Sequence, residues 1–573
     1  MSQNIKTKLY FTAIGMLVVG GCFFSSPVYS ATLGESKSFY IDSSYDISGR
    51  EKTTAVLQRI SNRLYFYIDN AFWAGLSFEE KNKLNNSFII LADEFERKIY
   101  PTLTSTFGFE WKPGIDNDER ITVLIHPMKK NRGGYFRTAD EYSKLVLPTS
   151  NEREMVYLNQ DSITSPRAKS FLAHEFMHLI TFNQKERILG IEEDVWLNET
   201  RAEYITTLLG YDSDYQGSNL ELRVQNFLEN PSNSLIDWDN SSADYAVANL
   251  FAQYLVDHYG VKVLTDSLRS SKKGIDSIDE ALSGNGFQEN FSQVFTDWTI
   301  AVLVNDCALG PKYCYKNSNL KNLKVVPATN FLPLNSQSVL SVNYITKNWA
   351  GNWQRIIGGG GLLTLDFNGG LIGNIKVPYV VCKVSGSCSV DFLALDDNQI
   401  GKIKLQDFNT KYASLTIIPS AQENSNSNYY FVWEVIMNPQ AQNETELINQ
   451  FLAQIESLRA EITKVQAQID VILGKSRTNS FLGGICQRLE NNLYFGLNNN
   501  PEVRCLQEFL KNQGLGIYPE GLVTGNFLSL TRAAVIRFQE KYAVDILTPW
   551  ELIEGTGFVG RTTRVKINQL LGL

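Results

Sequence analysis

Two histidines one helical turn apart, with a glutamate beside the first, form the most chemically loaded arrangement in the chain: His174-Glu175-Phe176-Met177-His178. Only four histidines occur among 573 residues, and two of them fall here. On a helix, residues four apart face the same side, so both imidazoles can hold one Zn²⁺. Glu175 is then placed to take a proton from a water that the metal activates. The flanking Phe171-Leu172-Ala173 and Leu179-Ile180 bury the helix, which argues against two histidines idling on a polar surface. A catalytic zinc needs a third protein ligand and one open position. The candidates are carboxylates on a following helix. Glu199 and Glu203, four apart, share one face there, whereas Glu192, Glu193 and Asp194 precede that helix and read as solvated.

HEFMH followed, 21 residues beyond His178, by Glu199 within Trp196-Leu-Asn-Glu199-Thr-Arg-Ala-Glu-Tyr204 resembles the gluzincin zinc metallopeptidases. The WLNE segment is similar to those of their hyicolysin-like, collagenase-like and aminopeptidase branches. The resemblance implies a zincin-like α+β catalytic domain, Zn²⁺ as cofactor and Glu199 as third ligand. It implies Glu203 as the carboxylate that orients a ligand histidine, with Glu203 itself the alternative ligand. The metzincin solution is ruled out, because position 184 is Gln184 and position 181 is Thr181. Tyr245 resembles the downstream tyrosine of related peptidases, the candidate donor to a transition-state oxyanion; a core or surface tyrosine is its other reading. Aminopeptidases carry an upstream Gly-rich motif for the substrate amine, and none is present, so an endopeptidase is expected. His126 and His258 read as structural. Asp116-Asn-Asp-Glu119 is too short for an EF-hand loop and reads as a solvated turn.

Residues 31–325 must position this site, and they alternate strand-like and helix-like segments. Arg120–His126 and Glu154–Asn159 read as strands; Ser170–Phe182 and Glu199–Leu209 read as helices. Residues 326–438 change character. Gly358–Gly361, Gly369-Gly370 and the apolar runs Leu362–Phe367 and Tyr429–Glu434 predict a β-sandwich. Across 440–474, Ile448, Phe451, Ile455, Leu458, Ile462, Val465, Ile469 and Ile472 follow alternating spacings of three and four. That seam suits a coiled coil, and with it a homo-oligomer, or a single-helix stalk. After a linker at 474–480, residues 481–573 resemble the small all-α, three-helix peptidoglycan-binding domain of bacterial cell-wall hydrolases. An internal echo accompanies the resemblance: Thr524-Gly525 and Thr531-Arg532 recur as Thr556-Gly557 and Thr563-Arg564. The resemblance implies peptidoglycan as partner; a protein-docking module is the alternative.

Residues 1–30 read as a cleavable signal peptide. Lys6 and Lys8 precede the mostly apolar Leu9–Phe24, and Val28-Tyr29-Ser30 offers small residues before Ala31. A membrane anchor, or a lipid anchor at Cys22, is the other reading. Six further cysteines fall in three close pairs, Cys307/Cys314, Cys382/Cys388 and Cys486/Cys505, whose short loops favour local disulfides in an oxidising compartment. With 43% apolar and 20% charged residues the chain has ample core. Its net charge of −8, without a Lys/Arg block, makes nucleic acid an unexpected partner. The expected protein is a secreted or wall-associated zinc endopeptidase acting on proteins or peptides. A peptidoglycan stem-peptide hydrolase and a non-catalytic adhesin with a vestigial zinc site are the alternatives.

Overall fold

The computed structural model describes residues 31–438 apart from Asn131, Asn335, 371–373 and 424–427, then the helical residues 452, 455 and 458–469, and 488–572 apart from Glu551. The expected leader, most of the 440–474 segment and Cys486 therefore lie outside the described residues. Two compact units result, one ending at Lys475 and one beginning at Ser476. Among the described residues no helix is long and apolar enough to cross a membrane.

The first unit starts with a six-stranded mixed sheet in the order β1-β2-β3-β4-β6-β5. Its strands are β1 (Ser36–Tyr40), β2 (Lys52–Ile60), β3 (Leu64–Asp69), β4 (Ile121–His126), β5 (Gly134–Phe136) and β6 (Met155–Asn159). The neighbours β3, β4 and β6 run parallel and every residue in them is buried, as befits parallel strands covered on both faces. β5 turns back antiparallel to β6 and forms the edge. Aromatic contacts join helices to this sheet and to one another: Phe66 of β3 stacks on Phe88 at 5.1 Å, and Phe95 meets Phe176 of a second helix edge-on at 4.9 Å. Helices Val195–Leu208, Asn219–Glu229, Ser242–Tyr259 and Phe291–Val304 extend the same core.

Residues 328–438 form two antiparallel-dominated ladders. One runs through Cys388–Phe392, Pro378–Lys383, Tyr412–Ile417, Gln354–Gly358 and Ala328–Leu332. The other runs through Ile400–Phe408, Gly361–Asn368, Asn428–Asn438 and Ser338–Lys347. A single pair, Phe408 with Tyr412, joins them into one hydrogen-bonded sheet. Strict alternation along Gly361–Asn368 and Asn428–Asn438 places Leu363, Leu365, Phe367, Trp433 and Val435 in a shared core. This region is not packed apart from the helices. Trp349 lies edge-on to Phe291 and Phe295, at 4.8 and 5.3 Å, and Trp353 Nε1 donates to the Thr299 carbonyl at 2.9 Å. The change of pattern at 325 is thus a change of secondary structure within one compact unit.

Two of the expected disulfides are present. Cys307–Cys314 closes the loop after the Phe291–Val304 helix, and Cys382–Cys388 spans a register pair of adjacent strands. Cys505 is also disulfide-bonded. Along 458–469 the seam residues Leu458, Ile462, Val465 and Ile469 are exposed. Glu461 pairs with Arg355 and Gln468 donates to the Lys324 carbonyl, so this helix is tied to the body of its unit.

Among its described residues the second unit has three main helices, Pro501–Asn512, Ser529–Lys541 and Arg561–Leu570. Its internal echo has a structural counterpart in two buried glutamines 32 residues apart. Gln507 accepts from the Thr524 and Gly525 amides at 2.7 and 2.8 Å and donates to the Asn526 carbonyl and Thr531 Oγ1. Gln539 repeats this, accepting from the Gly557 amide at 2.9 Å and donating to the Phe558 carbonyl and Thr563 Oγ1. Both following glycines have positive φ, at 79° and 72°, which only glycine adopts cheaply. Gln539→Ala orphans these groups and should destabilise the unit by about 2–4 kcal/mol. Hydrogen exchange should then lose protection at the Gly557 amide while the Gly525 amide keeps its own.

Candidate metal centre

The helix that carries the two histidines spans Ala168–Thr181, two residues longer at its start than the apolar spacing predicts. Leu172, Ala173, Phe176, Met177, Leu179 and Ile180 are buried and leave one polar strip, His174, Glu175 and His178, facing the rest of the site. The following helix, Val195–Leu208, begins four residues before Glu199 and crosses close enough to bring that carboxylate in. Trp196 anchors its start against Phe291 at 5.5 Å.

Glu199 Oε2 lies 3.1 Å from His174 Nε2 and 3.6 Å from His178 Nε2, and one ligand atom from each residue falls within 4.8 Å of the others. Ligand atoms on a tetrahedral zinc with bonds near 2.0–2.1 Å stand roughly 3.3–3.4 Å apart. The donor set, two imidazoles and one carboxylate, therefore fits Zn²⁺ in chemistry and in span. The far nitrogens are occupied from behind. His178 Nδ1 meets Asn198 Oδ1 at 3.1 Å, and His174 Nδ1 faces Glu203 Oε1 at 3.6 Å. Glu203 is itself gripped by Arg223, through Nη2 at 2.6 Å and Nε at 2.8 Å, and by the side-chain amides of Asn219 and Asn249, each at 3.1 Å. Such partners fix the imidazole tautomer that leaves Nε2 free for metal.

Electrostatics follow from this crowding. Burial pushes the Glu175 carboxyl up to about 7, with both imidazoles pulling the other way. Burial alone would lower His178, yet Glu199 overcomes it and holds the imidazole up at about 9. Glu199 shows the converse, its desolvation outweighed by the two histidines, which keep it well below the usual carboxylate range. A divalent cation seated between these groups would displace the protons those shifts describe.

Gly134 on edge strand β5 passes close beside Glu175. A Cβ there would sit 3.0 Å from Glu175 Oε1 and 2.6 Å from the Tyr157 carbonyl, so the strand can lie this near only as glycine. Tyr245 comes to the same cleft, its ring centroid 6.4 Å from that of His174. Its hydroxyl donates to Asn240 Oδ1 at 2.9 Å, and burial followed by the Glu199 charge keeps it protonated. Asn240, in the left-handed region at φ 58°, also receives Arg132 Nη1 at 3.2 Å and donates to the Tyr45 hydroxyl at 3.4 Å.

Asn198, Arg223, Tyr45, Arg132 and Asn240 are site residues that sequence reasoning passed over. Asn198 had a local sign, being next to Glu199; the others arrive from distant segments. One expectation is corrected. Glu193 is not solvated: its Oε2 accepts from buried Arg201 at 2.8 Å and its Oε1 from the Gly274 amide at 2.8 Å, locking the start of the second helix. His126 is fully buried, with Nε2 on the Tyr135 hydroxyl at 3.1 Å, and His258 Nε2 donates to the Cys314 carbonyl at 2.8 Å.

With this geometry in place, the chain's distant sequence kinship is with a metallopeptidase. That relative is the neutral metalloprotease ShpI of Staphylococcus hyicus, 26% identical over a 219-residue alignment that covers 34% of this chain and 47% of that protein. The chain thus spans about half the length of the curated relative it matches. No family model matches the chain. Among solved structures, aminopeptidase A of Legionella pneumophila overlaps 66% of this chain and 36% of its own at 10% identity and a TM-score of 0.25, too loose a superposition to carry an argument.

Metal analysis separates the two glutamates. Glu199→Ala should abolish zinc binding, whereas Glu203→Gln should weaken it by about 10–100-fold, read by competition with a chromophoric chelator.

Proposed function

We propose that the chain is an exported zinc-dependent metalloendopeptidase of gluzincin type, held at the cell wall by its C-terminal unit. The observation that carries this reading is the convergence of His174, His178 and Glu199, with Glu175 beside them on the same helix strip. Bound there, a zinc ion would supply Lewis-acid polarisation of a scissile carbonyl and a lowered pKa for a water. The other work belongs to the chain's own groups. Glu175 takes the proton of the attacking water and returns it to the departing amine. Tyr245, a protonated donor at the edge of the cleft, serves the oxyanion once it exchanges Asn240 for the substrate. β5 ends the sheet, so its outer edge offers main-chain groups to an extended peptide on both sides of the cut bond, which favours an endopeptidase.

Glu175→Gln alters no ligand and removes proton transfer. It should retain zinc while peptidase activity falls by about 10²–10⁴-fold; full activity would overturn the mechanism. A casein zymogram run with and without chelator, beside a muropeptide release assay, distinguishes a protein substrate from a wall stem peptide.

Truncation after Pro439 keeps the Trp349 and Trp353 contacts with the catalytic helices. It should leave cleavage of a soluble peptide nearly unchanged and abolish co-sedimentation with purified peptidoglycan. Truncation at 325 removes those contacts and should cost activity through lost folding. Undiminished pelleting of the shorter chain would refute wall attachment through the tail.

A further inference from the structure

The edge strand β5 begins next to an arginine that the peptidase chemistry leaves unused. Arg132 stands two residues before Gly134, the residue that lies against Glu175. Its main chain is pinned there. Asn159 Nδ2 donates to the Arg132 carbonyl at 2.7 Å, and the Asn159 amide donates to the Gly133 carbonyl at 2.9 Å. A Cβ on Gly133 would fall 2.5 Å from the ring of Phe171, on the helix that carries both histidines. The sheet and the histidine helix together thus set where Arg132 starts.

Its side chain crosses to Tyr245 and its neighbours. Arg132 Nη1 donates to Asn240 Oδ1 at 3.2 Å and to the Asn240 carbonyl at 3.5 Å. The same Oδ1 accepts from the Tyr245 hydroxyl at 2.9 Å, and Tyr245 is the tyrosine beside His174. The guanidinium also lies over the Tyr45 ring, 5.1 Å from its centroid. These partners are all neutral. Arg50, Arg137, Arg201 and Arg223 of the same unit each face a carboxylate at 2.6–3.0 Å. Among the described residues no carboxylate pairs with Arg132, and its Nε and Nη2 have no hydrogen-bond partner. The residue is half-buried and these two nitrogens stay open to solvent.

A guanidinium so placed offers a planar fork that matches a carboxylate through two parallel N–H bonds. A neutral side chain leaves the fork to water, and a basic one meets like charge, so the position discriminates by charge. An extended peptide paired antiparallel with the outer edge of β5 runs from Phe136 towards Arg132 and passes Glu175 at Gly134. Each residue of it advances about 3.3 Å, so the part that follows the cut bond comes alongside Arg132. We propose that Arg132 is a specificity residue that takes an aspartate or glutamate side chain on the first or second residue after the cut bond. The inference rests on the peptidase reading and adds a substrate class, acidic peptides, to it.

End-blocked fluorescent octapeptides test this. They share one apolar sequence and carry Glu, Gln or Lys at a single position that is moved along the chain. Anisotropy with the zinc-loaded Glu175→Gln full chain reads affinity without turnover, and mass spectrometry of wild-type digests locates the cut bond. The Glu peptide should bind about tenfold more tightly than its Gln counterpart when the acid lies one or two residues after that bond. Arg132→Gln should erase the difference while zinc content and affinity for the Gln peptide stay nearly unchanged. Arg132→Lys should keep part of it, and Arg132→Glu should transfer the preference to the Lys peptide. A merely structural arginine, tying Asn240 in place, would weaken all three peptides alike, and that result would overturn the proposal. Equal binding of the Glu and Gln peptides would also overturn it, as would a preference confined to residues before the cut bond. Charge-selective binding of peptides that the wild type leaves uncut would instead refute the peptidase reading and leave the charge selection by Arg132 standing.

Discussion

Two imidazole nitrogens and a carboxylate oxygen are held within a few ångströms of one another in a site largely closed to water. A second carboxylate, that of Glu175, stands on the same helix strip. Left to themselves these groups would spread or exchange protons, as the opposed shifts of His178, Glu199 and Glu175 indicate. What keeps them in place lies behind them. Asn198 holds His178 from its far nitrogen, and Glu203 faces His174 from its own. Glu203 stays fixed because Arg223, Asn219 and Asn249 saturate it. The candidate metal site therefore depends on a buried polar network that links helices Val195–Leu208, Asn219–Glu229 and Ser242–Tyr259.

That dependence explains how the rest of the unit is built. The helices around the network share one apolar core with the six-stranded sheet, and the β-rich region contributes Trp349, Trp353, Val380 and Ile418 to that core. The helix that carries His178 cannot shift by an ångström without breaking the 3.1 Å hydrogen bond between His178 Nδ1 and Asn198. Packing from two sides limits such shifts. Glu193 adds a polar lock at the start of the second helix, where Arg201 and the Gly274 amide hold it. The second unit follows a different rule. Its repeated glutamines each close a turn onto a helix by satisfying main-chain amides, so one buried side chain does locally what a large core does elsewhere.

Much of the site is legible in the sequence because its central geometry is local. A separation of four residues on a helix fixes which side chains share a face, and HEFMH requires nothing distant to bring its histidines together. Cys307 with Cys314 and Cys382 with Cys388 are equally local, since a short loop leaves few other partners. The glutamine repeat shows the same locality, its echo visible as Thr-Gly and Thr-Arg pairs before any contact is known.

Tertiary structure decided what spacing leaves open. Glu199 and Glu203 are both four-apart neighbours on one helix face, and sequence alone treats either as a ligand. In the fold Glu199 meets both Nε2 atoms, while Arg223, from a separate helix, claims Glu203. Asn240 and Tyr45 reach the cleft across almost two hundred residues of chain separation, beyond any periodic pattern. Glu193 reads as a solvated loop acid until Arg201 is found buried against it. Asp140 and Glu141 are adjacent acids on one turn, yet only the fold gives four donors to the first and none to the second. Local sequence sets which groups can act, because covalent spacing and helical pitch are local. Burial and partnership, which set charge and role, come from segments far apart in the chain.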